Sequence, residues 1–247
     1  MKITFLGTNG WYSTDLGNTV SILIETKTHY IVLDAGDGIY KLDQYIHDDK
    51  PILILLSHLH LDHIIGLHSF AKFSFPQQII LYGYKGTEKR IKQLIRHPFS
   101  SPITKLPLKI SFRDLSEGSY NIPFPITCKL LEHADPCLGF RLSLEDKVIT
   151  YCTDTGLCTN LLELAKGADL VITECSYKPG QEVWGWPHLK PEEAAQVALK
   201  SQVKQLYLTH FDASIYKTHA ERVEAENVAK QIFTNSFIAS DDLQIDV

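Results

Sequence analysis

The segment His58-Leu59-His60-Leu61-Asp62-His63 constrains this chain more than any other, because it sets four metal-ligating residues directly behind an apolar run, Pro51 to Leu56. That run reads as a buried strand led in by proline. Side-chain direction in extended chain repeats every second residue, so His58 and His60 point to one side and can grip one ion. Asp62 and His63 then open a predicted helix, Asp62 to Phe70, and can face a second ion close by. Structural zinc motifs usually carry cysteine and close all four positions. A set made of histidine and aspartate suits a hydrolytic site that keeps one position open for water.

Further ligand types recur downstream at strand ends. Predicted strands at Ile126–Glu132, Lys147–Thr153 and Gln205–Thr209 deliver His133, Asp154 and His210 in turn. Asp154 offers two carboxylate oxygens and can bridge two ions, the arrangement that clamps the attacking and leaving oxygens of a displacement. The remaining histidines His29, His47, His68, His97 and His219 are assigned to loops and helix surfaces.

Ligands spread from His58 to His210 require one cooperative body, so residues 1–247 are read as a single domain. Early strands are expected at Lys2–Leu6, Thr19–Glu25 and Tyr30–Asp34, followed by alternating helices and strands. Asn160–Lys166 reads as a short helix with Asn160 as its cap, Glu163 completing a capping box and Gly167 as terminator. Pro191–Ser201 and Ala220–Phe233 carry apolar residues on one face and read as helices. Glu88–Arg96 also has helical spacing, and its Lys89, Lys92 and Arg96 stripe reads as a solvated face in preference to a phosphate-recognising one.

The formal net charge of −5 gives no general attraction to polyanions, so binding of nucleic acid is left open without support. No stretch approaches the length of a membrane span, and the N-terminus lacks the apolar core of a signal peptide. Five cysteines without a Cys-x-x-Cys pair point to reduced core thiols and a cytoplasmic location. A homodimer is compatible with all of this.

Taken together, Phe5-Leu6-Gly7-Thr8, Leu33-Asp34-Ala35-Gly36-Asp37-Gly38, the His58–His63 motif and then His133, Asp154 and His210 resemble the metallo-β-lactamase superfamily over nearly the whole chain. The resemblance implies an αββα sandwich of two mixed sheets flanked by helices. It also implies one metal site from His58, His60 and His133, a second from Asp62, His63 and His210, and Asp154 shared between them. Asp34 would then brace the metal-bearing loop without binding metal. Two divalent ions are implied, zinc in the first place, with manganese also suited to such ligands.

Later motifs resemble the ribonuclease Z branch and its phosphodiesterase relatives: Asp169–Tyr177, the run His188-Leu189-Lys190-Pro191-Glu192-Glu193-Ala194-Ala195, and Leu208-Thr209-His210-Phe211. There His188 is implied to protonate the leaving oxygen, with Glu174 orienting it and Asp62 counted among the catalytic residues. The physical setting agrees, since Pro191 suits a first helical turn and a near-neutral imidazole can supply a proton to an alkoxide. Trp184, Trp186 and Tyr177 lie where they could stack on a base, or simply pack around Pro187.

The chain departs from tRNA-processing ribonuclease Z in three places. Ser13–Asn18 replaces the family's Pro-x-Lys-x-Arg-Asn-like loop, only a short hairpin at Pro136–Glu145 stands where the tRNA-gripping arm is expected, and Asp212–Tyr216 replaces the Ser-x-Arg-Tyr type ending. The expected function is therefore a dinuclear phosphodiesterase for small or cyclic phosphodiesters or RNA ends. Its alternatives are a tRNA 3′-processing endoribonuclease and a carbonyl-ester hydrolase such as a lactonase or thioesterase.

Overall fold

Alternation along the strands decides the layers. In Ser21–Glu25, Ile22 and Ile24 enter one core while Leu23 enters another; in Tyr30–Leu33 the split is Ile31 and Leu33 against Tyr30 and Val32; in Ile52–Leu55 it is Leu53 and Leu55 against Ile52 and Ile54. A strand whose two faces are both apolar must be covered on both sides. A computed structural model of the chain, describing residues 1–182 and 185–247, shows that cover.

Two seven-stranded mixed sheets face each other. The first runs in the order Gln244–Asp246, Lys2–Gly7, Ser21–Glu25, Tyr30–Leu33, Ile52–Leu55, Gln78–Tyr84 and Lys109–Leu115. The second runs Ser236–Ile238, Gln205–Thr209, Leu170–Glu174, Lys147–Cys152, Leu138–Leu144, Pro125–Leu130 and Gly118–Asn121. Phe5, Ile22 and Leu33 meet Phe140, Tyr151 and Ile172 in the core between them. Behind the first sheet lie Leu67, Phe70 and Ile91, from the segments Ile65–Lys72 and Thr87–Leu94; behind the second lie Leu161, Ala198 and Ala225, from helices Thr159–Ala165, Pro191–Lys200 and His219–Ile232. The expected αββα sandwich is thus the observed architecture.

Within each sheet the strands that lead to candidate ligands point the same way, so their carboxyl ends gather at one edge; Pro125–Leu130, which leads to His133, is antiparallel to Leu138–Leu144 and so shares the direction of Lys147–Cys152. Tyr30–Leu33 pairs in parallel with Ile52–Leu55, and Leu170–Glu174 lies in parallel between Lys147–Cys152 and Gln205–Thr209. The crevice beyond the carboxyl ends of parallel strands is where open sheets of this kind present their sites.

The structure departs from local expectation in three places. The predicted helix Asp62–Phe70 is one α turn, Leu61–Ile64, followed by a 3-10 segment, Ile65–Lys72. The Gly66 N–H bonds to Ala35 O, and a tertiary bond has replaced the helical one. The helix at Thr159–Ala165 starts from Cys158, not Asn160; Asn160 Nδ2 donates to Leu130 O at 2.7 Å and Glu163 pairs with Lys129, so neither caps it. Gly167 ends this helix as expected, in a left-handed conformation with φ of 62°. The segment Pro136–Glu145, expected as a hairpin, supplies only one of its strands, Leu138–Leu144, whose antiparallel partner is Lys147–Cys152 across a turn at Glu145 and Asp146. The other boundaries moved by at most two residues.

Candidate metal centre

Three sharp turns aim the site. Asp34, Asp154 and His210 each follow a strand and each adopt a left-handed conformation, with φ of 57°, 53° and 50°. Asp and His tolerate that region better than most residues, at a cost of about 1 kcal/mol or more that the surroundings must offset. At Asp34 the offset is visible. Its buried carboxylate accepts from Ser57 N at 2.7 Å, Ser57 Oγ at 2.8 Å and Tyr151 OH at 2.7 Å, and meets His63 Nδ1 at 2.8 Å. Asp34 therefore ties the turn before His58 to the second sheet and fixes the His63 ring, leaving His63 Nε2 to face the site.

The seven candidate ligands come together as two clusters. Ligand atoms of His58, His60, His133 and Asp154 lie within 4.8 Å of one another, and so do those of Asp62, His63 and His210. Asp154 touches both. Its Oδ2 lies 3.7 Å from His58 Nε2 and 3.8 Å from His133 Nε2, while its Oδ1 lies 3.2 Å from His63 Nε2 and 3.0 Å from His210 Nε2. His60 Nδ1 stands 3.2 Å from His133 Nε2, and Asp62 Oδ2 stands 3.2 Å from His210 Nε2. A tetrahedral ion holding ligands at roughly 2.0–2.1 Å spaces them about 3.3–3.5 Å apart, close to these values. His58 Nε2 is buried and, among the described residues, has no hydrogen-bond partner. An unpartnered imidazole nitrogen aimed into a cluster of acceptors fits a metal position.

The electrostatics agree. Burial, then the neighbouring His63, pushes His58 well below the ordinary imidazole value, and burial lowers His133. Burial also works against charge on His63 and His210, but Asp154 together with Asp62 outweighs it and holds both imidazoles above their usual value. Burial likewise opposes charge on Asp154 and Asp62, and the facing histidines override it, so both carboxyls are held below the usual range. In the metal-free chain protons on the second cluster do the neutralising that a cation would otherwise do.

His188 stands beside these clusters. Its ring centroid is 5.6 Å from that of His133 and 6.1 Å from that of His210, and its Nδ1 lies 2.8 Å from Glu174 Oε1. Glu174 is fully buried and is fixed in turn by Thr155 N at 2.5 Å and Ser176 N at 3.3 Å. Burial alone would lower the His188 value, but the Glu174 carboxylate reverses this and lifts it to about 9.

Several site partners escaped the sequence reading. Asp135 Oδ2 lies 2.9 Å from His60 Nε2, the Trp11 N–H donates to Asp62 Oδ2 at 2.7 Å, and Ser176 Oγ lies 3.1 Å from His210 Nδ1. Gly10 is required beside His210, because a Cβ there would stand 2.5 Å from its Cε1. None of these carries a local pattern. Trp186 is exposed with its ring 6.0 Å from those of His60 and His133, and its carbonyl accepts from Tyr177 OH, whereas Trp184 lies outside the described residues. His47, His68, His97 and His219 are exposed and His29 is half-buried, away from the clusters as expected.

Residues 29–211 match the model of the beta-lactamase superfamily domain. The chain belongs to that superfamily. A ribonuclease Z of Thermosynechococcus vestitus is 27% identical over 308 aligned positions, covering 98% of this chain and 74% of the relative. Those positions outnumber the 247 residues here, so the relative carries segments this chain lacks. The crystal structure of the metallo-β-lactamase fold protein YhfI from Bacillus subtilis superposes with a TM-score of 0.82 at 20% identity, covering 99% of this chain and 98% of that one. Human tRNase Z, short form, gives 0.79 at 22% identity, covering 100% and 99%. Superfamily membership and the His/Asp clusters make this superfamily chain a metallo-hydrolase that binds divalent metal.

Proposed function

We propose that this superfamily hydrolase is a dinuclear phosphodiesterase acting on small or cyclic phosphodiesters or RNA ends. The observation that carries the reading is the His188–Glu174 pair, an imidazole bonded to a buried carboxylate at 2.8 Å beside the clusters but outside both ligand sets. A phosphodiester with an alkoxide leaving group needs a proton at that oxygen, and a positioned imidazolium supplies one. Carbonyl hydrolysis on the same scaffold has less use for a separate acid.

His58, His60 and His133 would hold one ion, Asp62, His63 and His210 the other, with one oxygen of Asp154 toward each. Zinc suits these ligands, and manganese is the second candidate. The ions supply Lewis-acid polarisation and neutralise charge developing on the phosphoryl group. The chain's own part is positional. Asp34 and Ser176 fix the rings of His63 and His210, and the Trp11 N–H and His210 hold the Asp62 carboxylate at the site. As water adds to phosphorus it gives up a proton, for which the Asp62 carboxylate is the acceptor at the site. As the bond to the leaving oxygen breaks, the His188 proton passes to that oxygen while Glu174 keeps the imidazole oriented, and release of the water's proton to solvent and reprotonation of His188 close the cycle.

A second reading, tRNA 3′ processing, draws on the ribonuclease Z relatives. The altered Ser13–Asn18 loop and the short connection from His133 to Asp154, a single hairpin of Leu138–Leu144 and Lys147–Cys152, speak for small substrates instead. We read residues 1–247 as one cooperative domain, and five cysteines without a disulfide support a reducing, cytoplasmic setting. No described helix is long and apolar enough to cross a membrane. The test is a panel of bis-p-nitrophenyl phosphate, a cyclic nucleotide, a lactone, a thioester and precursor tRNA, assayed with zinc or manganese. The diesters are expected to lead; a kcat/KM on the lactone or thioester above that of every diester refutes the proposal.

A further inference from the structure

A cleft of about 510 Å³ opens beside the first cluster, and His58 and His60 form part of its wall. Any occupant therefore reaches the candidate metal centre directly. Leu59, Ile64 and Leu94 give the cleft an apolar lining, and Tyr84 adds an aromatic one. Two cations, Lys85 and Arg90, complete it. Both are exposed, and among the described residues neither forms an ion pair. Lys92, two residues beyond Arg90, is tied to Glu88. Asp135 is the single carboxylate in the lining, and it is bonded to His60 at 2.9 Å.

Two free cations at a site mouth stand out on a chain with a formal net charge of −5. A simple phosphodiester carries one negative charge, and the metal centre answers it. Lys85 and Arg90 call for a second anion, and the apolar wall between them and His60 suits a sugar or base linking the two charges.

We infer that the preferred substrate is a phosphodiester bearing a second phosphate on the side bound in this cleft, with Lys85 and Arg90 as its subsite. The inference rests on the phosphodiesterase reading for its chemistry, while its binding component can be measured separately. It leaves the Lys89, Lys92 and Arg96 stripe as the solvated face it was read to be and gives phosphate recognition to two residues the stripe does not contain.

The experiment has two arms, both on metal-loaded full-length chain. In the first, the dinucleotides TpT and pTpT are compared as substrates for the parent protein and for K85A/R90A. The parent is expected to favour pTpT by about tenfold in kcat/KM, equivalent to about 1.4 kcal/mol, mostly through KM, and the double variant to lose that preference. In the second, calorimetry compares thymidine 3′,5′-bisphosphate with thymidine 5′-monophosphate. The bisphosphate is expected to bind about tenfold tighter to the parent, with the gap closing in K85A/R90A and weakening with salt. A parent without the preference, or a double variant that keeps it, overturns the subsite. If neither dinucleotide nor any diester of the panel above is hydrolysed, the phosphodiesterase reading fails, and the calorimetric gap still decides whether the subsite exists.

Discussion

Replacing His188 by alanine separates an acid from a ligand. The Glu174 carboxylate lifts the imidazole from 6.5 to about 9, worth about 3 kcal/mol in favour of the protonated form. In the metal-free chain His188 is therefore charged at neutral pH, the state from which a proton can be given to the leaving oxygen. Loss of a positioned acid costs about 10²–10⁴-fold, or roughly 2.7–5.5 kcal/mol of barrier. That full cost is expected for a cyclic nucleotide, whose leaving group is an alkoxide. A far smaller cost is expected for bis-p-nitrophenyl phosphate, because nitrophenolate departs without a proton. The sign of the pH dependence follows from the raised value: acid function is present below it and lost as pH rises through it. Bound dications repel the imidazolium, so the alkaline limb of the loaded enzyme should fall between 6.5 and about 9. Glu174→Gln should move that limb to lower pH, and His188→Ala should abolish it. Elemental analysis must show both ions retained in His188→Ala. Loss of metal, or equal slowing of both substrates, refutes the reasoning.

Other outcomes follow from the same geometry. Elemental analysis of loaded protein should give two ions per chain, and Asp154→Ala should weaken both, since its two oxygens face different clusters; retention of both with parental affinity rules out the bridge. Gly10→Ala should impair the second cluster selectively by displacing His210, with the circular dichroism spectrum unchanged. His63 and His210 are held above their usual values in the metal-free chain, so their protons must leave as metal binds. Binding should release protons and weaken as pH falls, a trend calorimetry in buffers of different ionisation enthalpy would measure. Small phosphodiesters should be turned over better than precursor tRNA, and specific 3′ cleavage of tRNA more efficient than any small-diester reaction would reverse that ranking.

The legible parts of this chain were those encoded locally. Continuous apolar runs announced the buried strands, and His58, His133, Asp154 and His210 announced themselves by standing just past strand ends. Gly167 was readable because only a local conformation was at stake. The helix predicted from Asp62 was not, because the Gly66 N–H prefers Ala35 O, a partner some thirty residues back in the chain. Asn160 has the chemistry of a cap, but Leu130 O competes for its amide from another strand. The bonds of Asp135 to His60 and of Tyr151 to Asp34 join residues far apart in sequence, with no periodicity to betray them. Lys85 and Arg90 were hidden by the neighbouring stripe of Lys89, Lys92 and Arg96, since only the path of the helix past His60 tells which cations face the cleft.

The two clusters are not equally sheltered. The second is closed, with the side chains of His63, His210 and Asp62 exposed by 0%, 5% and 12%. The first has an open corner at His60, whose side chain is 31% exposed. Ions should accordingly differ in residence time: the one at His60 exchanges with solvent, while its neighbour leaves only when the surrounding chain opens. A chelator should strip the protein in two phases, and a preparation starved of metal should hold mostly one ion, the deeper one, and regain full activity simply on adding metal to the outer position.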